Sequence, residues 1–213
     1  MQTLFTRNVR PSNAPNRVAQ IQSVLIAVVL LGLTLALRFA PLPENFSAFG
    51  ALAVFCGLYT FGSFRWWFPV AALVLADCIG HFSRIPGMGF YHLPSMALNY
   101  LGFAVMALVA NRMSNWSVLQ NRMSPSAISG TAMVAMISSA CFFLISNFGA
   151  WLDPMMQYEK SPAGLLNCYF AGLPFWRSSL MSDVLFSVGF SVFAMMMAPV
   201  FSQLSTVRNR SQS

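Results

Sequence analysis

Long apolar runs separated by short polar breaks fill most of this 213-residue chain. The runs cover 18–38, 46–62, 66–81, 93–110, 126–147 and 179–201. At about 1.5 Å per residue, a helix of about 20 residues matches a hydrocarbon layer of about 30 Å. The runs are continuous and lack the in/out alternation, over roughly ten residues, of a membrane barrel strand. The pattern therefore predicts an all-α membrane protein of about six transmembrane helices over 18–203, with a polar tail over 1–17 and a second tail over 204–213. The first run ends in Arg38-Phe39-Ala40-Pro41, not in a small-residue cleavage site, and reads as a retained helix. Residues 148–178 are predicted to form a long outer loop. Its apolar stretch 163–170 reads as a short helix that folds back on the bundle as a lid or re-entrant segment.

Composition changes the picture by naming the solvent. Hydrophobic residues make up 57% of the chain and charged residues 8%, against about 25% charged in a soluble domain. So few charges cannot coat a water-facing surface, so the lipid bilayer is the first partner implied. Net charge is +7, but the cations are mostly single arginines between apolar runs, and no basic stripe suggests nucleic acid. Arg7, Arg10, Arg17, Arg65, Arg112, Arg122, Arg208 and Arg210 fall on one side of the alternating runs, and Arg38, Arg84, Lys160 and Arg177 on the other. The excess of positive charge places both termini in the cytoplasm.

Chemistry-bearing residues gather at the opposite, outer end. Asp77 and His81 are four apart on one helix face, and Asp183 lies about a turn into the last run. Asn45 closes the first outer loop, Asn147 stands where the fifth run meets the long outer loop, and Trp151, Asn167 and Tyr169 belong to the 148–178 region. Apolar walls with a few placed polar groups describe a ligand pocket. The same residues also fit plainer roles: Asp77 paired with Arg84 or His81, Asp183 at a helix dipole, the aromatics as an interfacial belt. Ala19, Ser23 and Ala27 put small residues four apart on the first run, which suits either packing within the chain or docking to a partner. The four cysteines form no C-x-x-C pair. No zinc-protease, nucleophile-elbow, Walker or dinucleotide motif is present, so no metal site, cofactor or catalytic residue is indicated.

The segments Asn147-Phe148-Gly149-Ala150-Trp151-Leu152, Gly164-Leu165-Leu166-Asn167-Cys168-Tyr169, Leu173-Pro174-Phe175-Trp176-Arg177 and Asp183 resemble a family of uncharacterised bacterial membrane proteins. Arg38-Phe39, the Pro-x-Pro that follows and Asn45-Phe46 extend the resemblance, which implies a bacterial inner-membrane location. More distantly, six helices with a short third one are similar to the substrate-binding S-components of ECF-type vitamin transporters. That similarity implies capture of a vitamin- or metal-type ligand at the outer face near Asn45, Asp77, Asn147, Trp151, Tyr169 and Asp183. It also implies docking through Ala19, Ser23 and Ala27 to a membrane coupling subunit with separate ATPases. Two other functions stay open: a small intramembrane enzyme using Asp77, His81 and Asp183, or a membrane assembly or structural protein.

Overall fold

The computed structural model describes residues 17–85, 88–120 and 125–210, with the backbone alone at 17–19, 117, 120, 125 and 198–210. Of the predicted tail over 1–17, residues 1–16 lie outside the described residues and Arg17 begins α1. The helices are α1 (Arg17–Arg38), α2 (Phe49–Tyr59), α3 (Phe64–Phe82), α4 (Leu93–Met113), the single turn α5 (Ser117–Gln120), α6 (Pro125–Leu152) and α7 (Pro162–Arg210). A 3-10 turn, Pro154–Met156, joins α6 to α7, and no strand occurs among the described residues. By length and composition, four segments can cross a membrane: Gln20–Arg38, Leu93–Met113, Ser126–Leu152 and Pro162–Met197.

Apolar residues surround α2 on every face, and ten of its eleven residues are buried. A helix hydrophobic all round must be enclosed, and α2 is packed against α1, α3, α4, α6 and α7. One apolar cluster joins α1, α2, α3 and α7 through Leu30, Phe55, Phe68 and Phe190. A second joins α2, α4, α5 and α6 through Val54, Met106, Leu119 and Val134. The outer faces are also apolar: Leu25, Val28, Val29, Leu33, Leu101, Leu108, Met136, Leu144 and Leu185 are exposed. Continuous apolar exteriors of this extent mark a membrane-facing surface, so this is a membrane protein.

Helix ends sort into two groups. Arg38, Phe49, Asp77 and Tyr91 meet at one end of the bundle, the cavity end. Leu58, Arg65, Asn111 and Ser114 meet at the other, the Arg65 end. α1 thus runs toward the cavity end and α7 away from it, so both begin or finish at the Arg65 end.

Two expectations need correction. The stretch 148–178 is not a long loop: α6 continues to Leu152 and α7 starts at Pro162. Ser161 supplies the reason, its Oγ accepting from Gly164 N at 3.1 Å as an N-cap with proline at the first helical position. The apolar segment 163–170 is thus the start of α7, neither lid nor re-entrant. The helix also passes the expected boundary at 203 and ends at Arg210.

Candidate functional site

The segment between α1 and α2 borders the cavity end of the bundle, with Pro41, Pro43, Glu44 and Asn45 exposed. Pro41 and Pro43 bar continuation of α1, and Asn45 turns the chain at φ 59°. The Glu44 and Asn45 carbonyls accept from Ser178 Oγ at 2.8 Å and Ser179 Oγ at 3.1 Å. This ties the segment to α7 and leaves space on both sides of it.

The space forms two adjoining lobes. One, of about 340 Å³, is bounded by Arg38, Glu44, Phe49, Asp77, Tyr100 and Phe103. The other, of about 550 Å³, lies between α4, α6 and α7, against Ser95, Phe143, Asn147, Asp153, Gly172 and Trp176. Asn45, Tyr91, Asn99, Phe142 and Ser179 border both lobes. Each volume falls in the usual range for a small-molecule site.

Helical spacing explains why these side chains converge. Ser95, Asn99 and Phe103 follow one face of α4, and Phe143, Asn147 and Ala150 one face of α6. The wall of the larger lobe exists because α6 and α7 are long: a 36-residue apolar segment rises about 54 Å, well beyond a hydrocarbon layer of about 30 Å.

Polar groups in the cavity are partly engaged with one another. Asp77, 7% exposed, accepts from Tyr100 OH at 2.8 Å. Tyr91 OH accepts from Asn99 Nδ2. Burial pushes the Tyr91 phenol above its ordinary range, outweighing the Asn99 hydrogen bond that pulls it down; Tyr91 is therefore a neutral hydroxyl at physiological pH. Ser95 Oγ donates to the Gly149 carbonyl at 2.9 Å and lies 2.8 Å from His92 Nδ1. Asp153 accepts from Met155 N at 2.9 Å and stands 3.9 Å from His92. Trp176 stacks on Phe143 with ring centroids 4.9 Å apart, and its Nε1 is buried without a hydrogen-bond partner.

Residues 18–204 match a family of unknown function, DUF6580. The chain belongs to that family. No curated protein and no solved structure matches it.

In this DUF6580 chain, Asn45, Asp77 and Asn147 of the expected site residues reach the cavity. Asp183 does not line it. It is buried deeper, where a side chain at Gly50 would overlap its carboxylate. His81 shares a helix with Asp77 but turns outward, exposed, 5.0 Å from the Phe90 ring. The set Asp77, His81 and Asp183 is therefore not assembled into one site. Trp151 lies outside the cavity and staples the α6–α7 turn, Nε1 donating to the Glu159 carbonyl at 2.8 Å and the ring facing Lys160. Tyr169 OH donates to the Leu144 carbonyl at 2.8 Å, between α7 and α6. Asn167 is exposed on the first turns of α7.

Of the two roles open to the small-residue face of α1, Ala27 takes packing within the chain. Ala27 is wholly buried in the core that includes Phe49 and Leu52, so it lets α1 approach its neighbours within the chain. Ser23 is half-buried, and the side chain of Ala19 lies outside the described residues. The outward face of α1 carries Ile21, Leu25, Val28, Val29 and Leu33 instead.

Sequence reasoning missed Arg38, Asn99 and Tyr100 as cavity residues. One signal was available: Asn99-Tyr100 interrupts an otherwise apolar run, and polar groups at membrane depth face the bundle interior. Among the described residues no three His, Cys, Asp or Glu side chains come together as a metal site.

Proposed function

We propose that this protein captures a small organic molecule in the cavity at the loop end of its helices, as the substrate-binding component of an uptake system in a bacterial cytoplasmic membrane. The observation that carries the reading is the two-lobed space with its mixed lining. Phe142, Phe143 and Trp176 offer aromatic walls, Asn45, Asn99 and Asn147 offer amides, and the Trp176 Nε1–H has no acceptor of its own. A planar, hydrogen-bonding organic ligand of vitamin size suits those groups, and the donor set gives little to hold a metal ion. The resemblance to ECF S-components, drawn from the sequence alone and matched by no solved structure, is what brings a coupling subunit with separate ATPases into the reading. With Ala27 buried, that subunit has no docking face assigned on α1. The assembly-protein reading is less favoured because the bundle is hollow, and the enzyme reading because His81 faces away from Asp77.

Native mass spectrometry of the full-length protein, purified in mild detergent from the membrane that made it, tests the proposal. A retained small-molecule adduct is expected. It should fall sharply in Trp176→Phe, which keeps the stack on Phe143 but deletes the unpartnered donor, and persist in Trp151→Ala. An adduct indifferent to Trp176→Phe and Asn99→Ala, or no adduct in any preparation, overturns it.

A further inference from the structure

A second polar hollow, of about 380 Å³, opens at the Arg65 end among Thr60, Arg65, Asn111, Arg112, Ser114 and Asn115. Arg65 Nη1 donates to the Asn111 side-chain oxygen, a neutral acceptor. Its Nε is buried with no partner, and its guanidinium sits 5.7 Å from the centre of the Trp66 ring. A buried guanidinium N–H without an acceptor is costly unless something supplies one.

Among the described residues no acidic side chain supplies a countercharge. The five acidic residues are Glu44, Asp77, Asp153, Glu159 and Asp183. Glu44, Asp77 and Asp153 border the cavity at the other end, Glu159 lies in the α6–α7 turn, and Asp183 packs on Gly50 at the start of α2. Arg65 lies in the first turn of α3, where the helix dipole is itself positive. The end of α4 offers only partial negative charge, and Ser114 Oγ already donates to the Asn111 carbonyl at 2.7 Å. Thr60 Oγ1 likewise donates to the Cys56 carbonyl at 2.6 Å. The N–H groups left to face the hollow belong chiefly to two arginines, the geometry that suits phosphate oxygens.

Depth selects the source of the phosphate. Trp66 and Trp67 follow Arg65 in the chain, and Trp67 is 53% exposed on the apolar exterior; tryptophans in that setting mark the headgroup layer. We propose that Arg65 and Arg112 bind the phosphate of an anionic phospholipid at this end of the bundle. The site is independent of the ligand cavity.

The test uses full-length protein in detergent micelles and an equimolar mixture of phosphatidylglycerol and phosphatidylcholine with identical acyl chains, with bound lipid read by native mass spectrometry. Two cationic side chains at the surface give an expected preference for phosphatidylglycerol of roughly 30-fold, or about 2 kcal/mol. Arg112→Gln, at an exposed position, should cut that preference roughly fivefold without unfolding the protein. The Arg65→Gln/Arg112→Gln pair should bring it near parity. Equal binding of the two lipids by the unaltered protein, or a preference that survives both variants, overturns the proposal. In a third arm, inorganic phosphate is added at the lipid's concentration. Displacement of phosphatidylglycerol would assign the site to soluble phosphate and overturn the lipid source.

Discussion

Gly57 sets how closely α2 and α4 approach. A Cβ there would overlap the Ala107 carbonyl oxygen and lie 2.7 Å from the Ala110 Cβ. Both obstacles are backbone or first side-chain atoms, so no rotamer change relieves them. Gly57→Ala would gain at most about 1 kcal/mol from helix propensity and a stiffer unfolded chain. Against that, α2 must shift by roughly 1 Å to restore ordinary contact, and overpacking of this kind costs about 1–3 kcal/mol. The upper end applies because α2 is enclosed by five helices and has nowhere to go. The net expectation is a loss of about 1–2 kcal/mol. Gly32→Ala is the control, since a Cβ at Gly32 meets nothing within 4 Å, and it should match or slightly exceed the unaltered protein. Unfolding in detergent, followed by near-UV circular dichroism as a function of temperature, reads both. A Gly57→Ala protein as stable as the original, or a Gly32→Ala protein equally damaged, would refute the backbone-contact argument.

Other substitutions probe the remaining contacts. Tyr100→Phe removes the donor to buried Asp77 and should cost about 1.5–3 kcal/mol in the same unfolding assay, whereas an unchanged midpoint would mean that Asp77 finds another partner. Ser161→Ala removes the cap of α7 and should cost about 1 kcal/mol, seen as faster hydrogen exchange in its first turn. Trp151→Ala frees the α6–α7 turn, so trypsin should cut after Lys160 sooner than in the unaltered chain; equal cleavage rates would deny the staple. From the arginine distribution, an alkaline phosphatase fused at the C-terminus should stay inactive in cells, and strong activity would invert the assigned orientation.

Apolar runs made the helical class and six helices legible, of which four are long and apolar enough to cross a membrane, and the arginine breaks located most helix ends. At 148–178 the sequence reading saw only a short helix over 163–170, whereas α7 starts at Pro162 behind the Ser161 cap and runs on through Gly172 and Pro174, residues that weaken a helix locally. In a helix packed on α6, tertiary burial overrides those local costs. Asn45, Asp77 and Asn147 were readable as cavity residues because each is polar at the end of an apolar run. Asn99 and Tyr100 were not, because whether a polar residue inside a run faces a cavity or a neighbouring helix depends on rotation about the helix axis. His81 shows the same limit: a spacing of four put it with Asp77, but one face of α3 is wide enough to hold a buried carboxylate and an exposed ring.

The shortness of α2 has an electrical consequence. Its 11 residues rise about 16 Å, roughly half of a hydrocarbon layer. Above its first residue lies the smaller lobe, floored by Phe49 and edged by Arg38, Glu44 and Asp77. A polar space of that size holds water, so in a polarised membrane the bottom of the lobe stands close to the potential of the solution it opens to. The whole voltage then falls across the packed layer of α2 and its neighbours, at about twice the field of an unbroken bilayer. A charged ligand could reach the lobe at little electrical cost in either direction. Moving it past Asp183 toward the Arg65 end would meet nearly all of that cost over a few helical turns.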